Sequence, residues 1–300
     1  ARRRGRAVGK LVRETVKSLL LLAGRRRVEV AGIGVSIPGI YHPGTGTVWA
    51  PNIPGWEDYP LRHELELVAE KSARAVSRKI QVRIDNDRAC HILGETWQGA
   101  AKGCRNAIAL AVGTGIGAGV IIDGRVLRGA HDIAGSIGWF ALDRPFRPEY
   151  VSCGCFEHHA SGEGLAKVAL ELAAGRKIGR ADDRGLCSRR TIGKDSKGSK
   201  LVTAHDVFSA YDRGDPVARE VVAQAVQFWG MAVANLVSLL NPEAIIFGGG
   251  VFGPAVRFLD DIYAEAKKWA QPIAITRVRL QASMLGSDAG LYGAAFLALQ

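Results

Sequence analysis

The stretch NAIALAVGTGIGAGVIIDGRVLRG, residues Asn106 to Gly129, determines the predicted fold. Apolar runs at Ala107 to Val112 and Ala118 to Ile122 are typical of buried strands. Between them lies Gly113-Thr114-Gly115-Ile116-Gly117, and Asp123-Gly124 favours a tight hairpin turn. The glycines therefore join two strands, whereas a dinucleotide-binding fingerprint opens a helix. Such glycines with a Thr hydroxyl suit an anion such as phosphate, and packing of a twisted hairpin is the alternative.

A second glycine-rich loop lies far along the chain. The short apolar run Glu243 to Phe247 predicts another buried strand, and it leads into Gly248-Gly249-Gly250. Pro254 then favours the first turn of a helix. Strand, glycines and helix N-terminus in this order suit a nucleotide or another anion. Two such loops suggest a ligand held between two lobes, while two unrelated tight turns are the alternative.

A third element is QVRIDNDRACHILGE, Gln81 to Glu95, in which a short strand ends at Asp85-Asn86-Asp87 and a helix follows. Asp87 lies near the helix start, where a negative charge suits the helix dipole. A carboxylate at a strand end facing a cleft can act as general base toward a hydroxyl. Because Asp is also a common N-cap, capping of the helix is the alternative role of Asp87.

Together these segments resemble the ROK (repressor, open reading frame, kinase) family of sugar kinases and sugar-responsive regulators. The resemblance runs from about Val30 to the C-terminus. The matching pieces are GIGVSIPG (Gly32–Gly39), NIPGW (Asn52–Trp56), DNDRACHILGE (Asp85–Glu95), GTGIGAG (Gly113–Gly119), GCFEHHASG (Gly154–Gly162), NPEAIIFGGG (Asn241–Gly250) and GSDAGLYGAA (Gly286–Ala295).

The resemblance implies an α/β, two-lobed actin/hexokinase-like (ribonuclease H-like) fold with ATP and a sugar in the cleft. The smaller lobe would comprise residues 1–105 plus 288–300, and the larger lobe residues 106–287. Asp87 matches the base that deprotonates the sugar hydroxyl. The positions that match sugar contacts are Gly39, Asn52, Asn86 and Glu157; those that match ATP contacts are Gly113, Thr114, Gly115 and Gly117 at the phosphates and Gly248, Gly249 and Gly250 near the nucleoside.

The chain departs from the family pattern at its start. The family usually opens with a strand and an Asp-x-Gly-Gly-Thr phosphate loop, whereas ARRRGRAVGKLVRETVKSLLLLAG predicts the helix that follows that segment. Either this chain is a truncation or variant, or its smaller lobe lacks the first hairpin. In the second case an anchor for phosphate and Mg²⁺ is missing, and a non-catalytic binding protein becomes the rival interpretation.

Two further substitutions fall at the expected sugar pocket. Where the family has AGE-x-GH, with a Glu and a His that bind sugar, this chain has Ala134-Gly135-Ser136-Ile137-Gly138-Trp139. Ser136 replaces a charged acceptor and Trp139 replaces an imidazole, so the pocket should favour a different sugar. Trp139 could instead be an ordinary core residue.

The family's structural zinc site is also altered. By resemblance only Cys155 matches a zinc ligand, while Trp139, Pro148 and Tyr150 occupy the other three ligand positions. The remaining Cys153-x-Cys155 with His158 and His159 is not a closed tetrahedral zinc spacing. We therefore expect no zinc or other bound structural metal, with buried thiols and surface imidazoles here.

Composition agrees with a cleft enzyme. The 300 residues are 47% hydrophobic, which suits two lobes with sizeable cores, and five cysteines, an odd number, favour a reducing cytoplasm. The net charge of +11 is concentrated near the N-terminus and in Gly175–Lys200, which predicts a solvated loop. Nucleic-acid binding is the alternative, but the segment before the first matching strand is too short for the winged helix of the family's repressors. We expect no signal peptide, no membrane span and no nucleic-acid partner.

The sequence therefore predicts an ATP- and Mg²⁺-dependent sugar kinase with an altered sugar pocket, cytoplasmic and homodimeric. A non-catalytic sugar- or nucleotide-binding protein and a sugar-responsive regulator are the alternatives. Periodicity predicts helices at about 9–23, 61–76, 88–102, 162–174, 204–211, 216–240, 254–270 and 289–299, and strands outside the hairpin at about 29–36, 244–247 and 278–282.

Overall fold

The structure is a computed structural model that describes residues 5–73, 80–176 and 202–300. Its helices are α1 (Gly5–Arg25), α2 (Leu61–Ala73), α3 (Asp87–Gln98), α4 (Tyr150–Cys153), α5 (Cys155–Ala160), α6 (Gly162–Arg176), α7 (Ala204–Asp212), α8 (Pro216–Leu240), α9 (Leu259–Trp269), α10 (Pro272–Ile275) and α11 (Ala289–Leu299). Its strands are β1 (Gly32–Ile37), β2 (Ile40–His42), β3 (Thr47–Trp49), β4 (Gln81–Asn86), β5 (Ala107–Val112), β6 (Ile116–Ile122), β7 (Arg125–Val126), β8 (Ala244–Gly248) and β9 (Arg279–Ala282).

The larger sheet has the strand order β7-β6-β5-β8-β9. The predicted hairpin is confirmed, because β5 and β6 pair antiparallel and β7 returns antiparallel after the Asp123-Gly124 turn. Strands β5, β8 and β9 are parallel neighbours, with Ala111 opposite Gly248. The continuous apolar sequences of β5 and β8 agree with burial on both faces of a parallel pair.

The smaller sheet pairs β1 with β4 in parallel, with Ile37 opposite Asn86. A separate hairpin, β2 with β3, follows β1 directly and was not predicted. Because both strands of the parallel pair end at the same edge, the segment after Ile37 and the segment after Asn86 leave the sheet together. This edge carries Asp87.

The long helix α8 forms the centre of the largest hydrophobic core and matches its predicted bounds. Asp215 caps its start by accepting hydrogen bonds from the amides of Val217 and Ala218, both at 2.9 Å, and Asn241 ends it in the left-handed conformation. Among the described residues it is the one helix with the length and hydropathy of a membrane span. Since 61% of its apolar window is buried inside the protein, we interpret α8 as a core helix.

The last helix returns to the first part of the chain. Helix α11 packs against α3, β1 and β4, and the contact is backbone to backbone. A Cβ on Gly293 would lie 1.7 Å from the carbonyl oxygen of Cys90, and one on Gly34 would lie 1.7 Å from that of Ala294. The two separate sheets and the packing of α11 against α3, β1 and β4 agree with two lobes. Their boundaries, residues 1–105 plus 288–300 and residues 106–287, stay a prediction.

Some predicted boundaries were wrong. The helix expected over 254–270 begins as a 3-10 turn at Pro254–Phe258, and α9 starts at Leu259. The helix expected over 88–102 ends at Gln98, where the Gly99 amide donates to the carbonyl oxygen of Glu95. Most of the predicted loop at Gly175–Lys200, and Arg2 to Arg4 of the basic start, lie outside the described residues.

Candidate active site

The two glycine-rich loops are neighbours in space. They follow β5 and β8, which are adjacent parallel strands, so both leave the same edge of the larger sheet. Gly249 has φ +86°, and a Cβ there would lie 2.4 Å from the carbonyl oxygen of Val112, the residue before the first loop. Only glycine allows this approach, and the two loops therefore form one continuous backbone surface.

The first loop is a tight turn that leaves amides available. The Gly113 amide donates to the Gly115 carbonyl at 2.9 Å, and the Gly162 amide donates to the Gly113 carbonyl at 2.7 Å. Within the described parts of the chain, the amides of Thr114 and Gly115 have no protein acceptor. Consecutive unpaired amides at a glycine turn make a concavity suited to an anion.

Glu157 holds this loop against the next turn of the site. Its Oε2 accepts a hydrogen bond from the Ile116 amide at 2.6 Å. A Cβ on Gly115 would lie 2.7 Å from this oxygen, and one on Gly138 would lie 2.9 Å from it. Burial in this position raises the pKa of Glu157, and the Ile116 amide opposes that shift. Glu157 thus connects the Gly113–Gly117 loop with the turn that carries Ser136 and Trp139.

Asp87 is the first residue of α3, and Asn86 caps the helix. The Oδ1 atom of Asn86 accepts a hydrogen bond from the Ala89 amide at 2.8 Å, so the capping role considered for Asp87 belongs to Asn86. The Asp87 carboxylate bonds only to the neighbouring Arg88 amide, at 2.9 Å, among the described residues. It is open to solvent, yet the surrounding protein removes enough water to raise its pKa, against the lowering effect of Arg88.

The other predicted sugar positions differ in their availability. Asn86 is buried and its side-chain oxygen is engaged as the helix cap. Gly39 has φ +118°, and a Cβ there would lie 2.2 Å from the carbonyl oxygen of Trp49, on the segment that leads to Asn52. The Asn52 side chain is exposed in a turn. Among the described contacts, none joins Asn52 to Asp87.

Ser136 contacts a residue that the sequence interpretation missed. The Arg88 Nη1 atom lies 3.0 Å from Ser136 Oγ, and that hydroxyl donates to the Ile133 carbonyl at 2.8 Å. Trp139 is 57% exposed, so its interpretation as a core residue was wrong. Arg88 immediately follows Asp87 in the sequence, and this adjacency is the sequence feature that could have identified Arg88 as a candidate site residue.

His91 was also missed, although it lies one helical turn after Asp87 on the same face of α3. A Cβ on Gly248 would lie 2.8 Å from Cε1 of His91, so the ring packs against the second glycine loop. Its Nε2 atom is buried without a hydrogen-bond partner among the described residues, and burial lowers its pKa. A neutral ring with an unpartnered nitrogen at this loop is a feature that a bound ligand can satisfy.

In the segment where the family's zinc site is altered, the side chains form hydrogen bonds and ring stacks with one another. The Tyr150 hydroxyl lies 2.7 Å from Nε2 of His159 and donates to Asp143 at 3.2 Å, while the His159 ring stacks on Phe228 with centroids 4.4 Å apart. His158 and His159 are both buried, which corrects the expectation of surface imidazoles. In the described ranges no group of three or more His, Cys, Asp or Glu side chains could hold a metal ion.

The geometry fits a nucleotide at the two loops. A Cβ on Gly113 or on Gly250 would meet open space, so both backbones border unfilled volume. The unpaired amides of Thr114 and Gly115 and the orphaned His91 nitrogen supply donors or acceptors nearby.

Comparison with known proteins gives a consistent result. The model of the ROK family matches residues 5–300. A glucokinase from Halalkalibacterium halodurans is 34% identical over 280 residues, which cover 92% of this chain and 78% of that protein. Among solved structures, a ROK hexokinase from Thermus thermophilus has a TM-score of 0.74 and 28% identity, covering 99% of this chain and 87% of that one.

A ROK family glucokinase from Streptomyces griseus, solved in complex with glucose and AMPPNP, has a TM-score of 0.66 and 27% identity. It covers 94% of this chain and 86% of that chain. These neighbours have the two-lobed, actin-like sugar kinase architecture. The predicted fold class is therefore confirmed.

Proposed function

Because this chain belongs to the ROK family, we propose that it transfers the γ-phosphoryl group of ATP to a hydroxyl of a sugar or sugar derivative. The observation that carries the proposal is the position of Asp87. It begins α3 at the edge of the smaller sheet, its helix packs His91 against the Gly248 loop, and Arg88 contacts Gly117 of the first loop. The solvent-open carboxylate of Asp87 thus belongs to the helix that packs against both glycine loops through Arg88 and His91.

In this mechanism Asp87 accepts the proton of the attacking hydroxyl as that oxygen approaches the γ-phosphorus in line. A general base must be ionised before it acts, and a pKa nearer to the working pH makes proton transfer more effective. Burial raises the pKa of Asp87 in that direction. Since the Asn86 side chain caps the helix, the backbone that carries Asp87 is held in a fixed position.

The backbone of the two loops would bind the nucleotide. The free amides of Thr114 and Gly115 would donate to phosphate oxygens, and Gly248 to Gly250 would border the nucleoside side. Mg²⁺, when bound, neutralises charge on the phosphates and stabilises the charge that develops during transfer. The chain's own contribution is to position the phosphates and to hold the proton acceptor.

The sugar would lie between Asp87 and the turn that carries Ser136 and Trp139. The exposed Trp139 ring offers a flat apolar face, and Ser136 and Arg88 offer polar atoms. Asn52 is available from its exposed turn. Glu157, already engaged with the Ile116 amide, would contribute mainly through its second oxygen.

The alternative functions predict different observations. A non-catalytic sugar- or nucleotide-binding protein would bind both ligands without turnover, and a sugar-responsive regulator would bind DNA with an affinity that sugar changes. We favour the kinase because Asp87, the base candidate, is not consumed by capping or by an ion pair among the described residues. We further propose a cytoplasmic homodimer, consistent with four free cysteines in the described chain.

The test measures ADP release with MgATP and a panel of sugars, together with binding of each sugar by calorimetry. The kinase predicts ADP release that depends on one class of sugar and stoichiometric sugar phosphate by mass spectrometry. Binding of sugar and nucleotide without any sugar phosphate would contradict the proposal and support the binding-protein alternative.

A further inference from the structure

Arg88 places a positive charge between the candidate base Asp87 and the first glycine loop. It follows Asp87 on α3, and a Cβ built on Gly117 would lie 2.9 Å from its Cδ. The guanidinium then reaches Ser136, with Nη1 3.0 Å from Oγ. Its side chain therefore connects Gly117 of the first glycine loop with Ser136.

The guanidinium of Arg88 acts on the neighbouring Asp87 carboxylate through its charge, which lowers the pKa of Asp87. Within the described parts of the chain, no carboxylate oxygen forms an ion pair with it, and its one side-chain hydrogen bond goes to a neutral hydroxyl. The nearby Arg128 contrasts with it, because Arg128 is paired with the buried carboxylate of Asp85. An arginine has five N–H donors in a planar fork, so most of the donors of Arg88 remain available.

We propose that Arg88 recognises a carboxylate on the substrate, and hence that the preferred substrate is a sugar acid. The inference rests on the kinase function proposed above and specifies the substrate class of the same site. A carboxylate accepts two parallel hydrogen bonds from a guanidinium, and such charged pairs are stronger than bonds between neutral groups. Neutral Ser136 admits a substrate anion at this place, where a carboxylate side chain would repel it.

A phosphate oxygen of ATP is a second source of negative charge, since Arg88 also contacts Gly117 of the phosphate loop. The two sources predict different kinetics. If Arg88 binds the sugar carboxylate, its replacement should raise the KM for the acidic sugar. If Arg88 binds a phosphate, its replacement should raise the KM for ATP, and by the same factor with every sugar.

The first experiment compares acidic and neutral sugars in the ADP-release assay: gluconate, galactonate, glucuronate and galacturonate beside glucose, galactose and glucitol. We expect at least one acid to exceed its neutral counterpart in kcat/KM by roughly 10- to 100-fold, the range of a hydrogen bond to a charged group. Higher kcat/KM for every neutral sugar than for the matching acid would overturn the inference.

The second experiment uses R88M, with R88K as the charge-conserving variant and R125M as the control on an exposed arginine of β7. R88M should lower the ratio of kcat/KM for the acid to kcat/KM for its neutral counterpart by roughly 10- to 100-fold, through the KM for the acid, with R88K intermediate. An effect of Arg88 on the neighbouring Asp87 is common to both sugars and cancels in this ratio. A rise in the KM for ATP with every sugar would assign Arg88 to phosphate and overturn the inference.

Calorimetric binding separates this inference from the kinase proposal. Tighter binding of the acid than of its neutral counterpart, lost in R88M and kept in R125M, would support recognition by Arg88 even without ADP release, which would contradict only the kinase. ADP release with neutral sugars alone, and no binding of any acid, would contradict only the sugar-acid inference.

Discussion

Arg128 and Asp85 form a two-point ion pair at the edge of the smaller sheet. Nη1 and Nη2 of the guanidinium lie 2.6 Å from Oδ1 and Oδ2 of the carboxylate. Asp85 is fully buried at the end of β4, whereas Arg128 comes from the segment after β7 of the larger sheet. Asp85 Oδ1 also accepts from the Asn86 amide at 2.9 Å, so the pair supports the backbone that carries Asp87.

The first prediction concerns this pair. Arg128→Met should lower the free energy of unfolding by about 3–5 kcal/mol, because it leaves a buried carboxylate without compensation. Chemical denaturation checks this, with Arg125→Met on exposed β7 as the matched control. Adding Asp85→Asn to Arg128→Met should recover part of the loss. A stability of Arg128→Met equal to that of the control would show that the pair contributes nothing.

The second prediction concerns Ser136. Ser136→Glu should place a carboxylate within ion-pair reach of Arg88 and so neutralise the charge that faces the sugar. The variant should then lose roughly 10- to 100-fold in kcat/KM for an acidic sugar and improve relatively with neutral sugars. Ser136→Ala, which leaves Arg88 free, should keep the preference for the acid. The measurement is the ratio of kcat/KM for the preferred acid to kcat/KM for its neutral counterpart, and an unchanged ratio in Ser136→Glu would refute the expectation.

The third prediction concerns stability and pH. Burial, with a smaller contribution from the adjacent His158, lowers the pKa of His159 to about 4, below the ordinary value near 6.5. The folded state therefore binds fewer protons than the unfolded state between these values. The free energy of unfolding should therefore fall as the pH drops from 6.5 toward 4. His159 should contribute on the order of 1 kcal/mol per pH unit to this fall.

His159→Phe, which can keep the stacking on Phe228 but cannot titrate, should flatten this dependence. Denaturation midpoints at several pH values measure it, with His63→Gln on the exposed face of α2 as the control. A variant that loses stability with falling pH as steeply as the wild type would show that His159 is not the titrating group.

The fourth prediction concerns zinc. By the family resemblance, Trp139, Pro148 and Tyr150 stand at three of the zinc-ligand positions, and Tyr150 contacts His159 through a hydrogen bond of 2.7 Å. The purified protein should therefore contain no stoichiometric zinc after dialysis, and a chelator should leave its melting temperature unchanged. About one zinc per chain by elemental analysis, lost in Cys155→Ser, would contradict this expectation.

The sequence predicted the hairpin and the bounds of α8 well, because both depend on local patterns. Asp123-Gly124 specifies the turn between β6 and β7, and Asp215-Pro216 specifies the start of α8. The short helices α4 and α5 were missed, since they are separated only by Gly154 at φ +85° and have no room for a periodic pattern.

The site was predictable only in part, because its key contacts join distant segments. The resemblance identified Asp87 and both glycine loops as candidates, and their roles stay a prediction. The contact of Arg88 with Ser136 spans 48 residues and has no signal in local periodicity. The pairing of Arg128 with Asp85 spans 43 residues and depends on how the two sheets are arranged. The exposed position of Trp139 likewise follows from the tertiary structure, since a tryptophan is highly buried on average.

The most direct test of the account is phosphoryl transfer by Asp87→Asn with the best sugar and saturating MgATP. The exchange removes the proton acceptor while keeping size and the fold, so kcat should fall by about 10²- to 10⁴-fold with little change in sugar affinity. Asp58→Asn, on an exposed residue before α2, is the matched control, and circular dichroism monitors folding. We predict that only Asp87→Asn loses activity; wild-type kcat in that variant would contradict the assignment of Asp87 as the base.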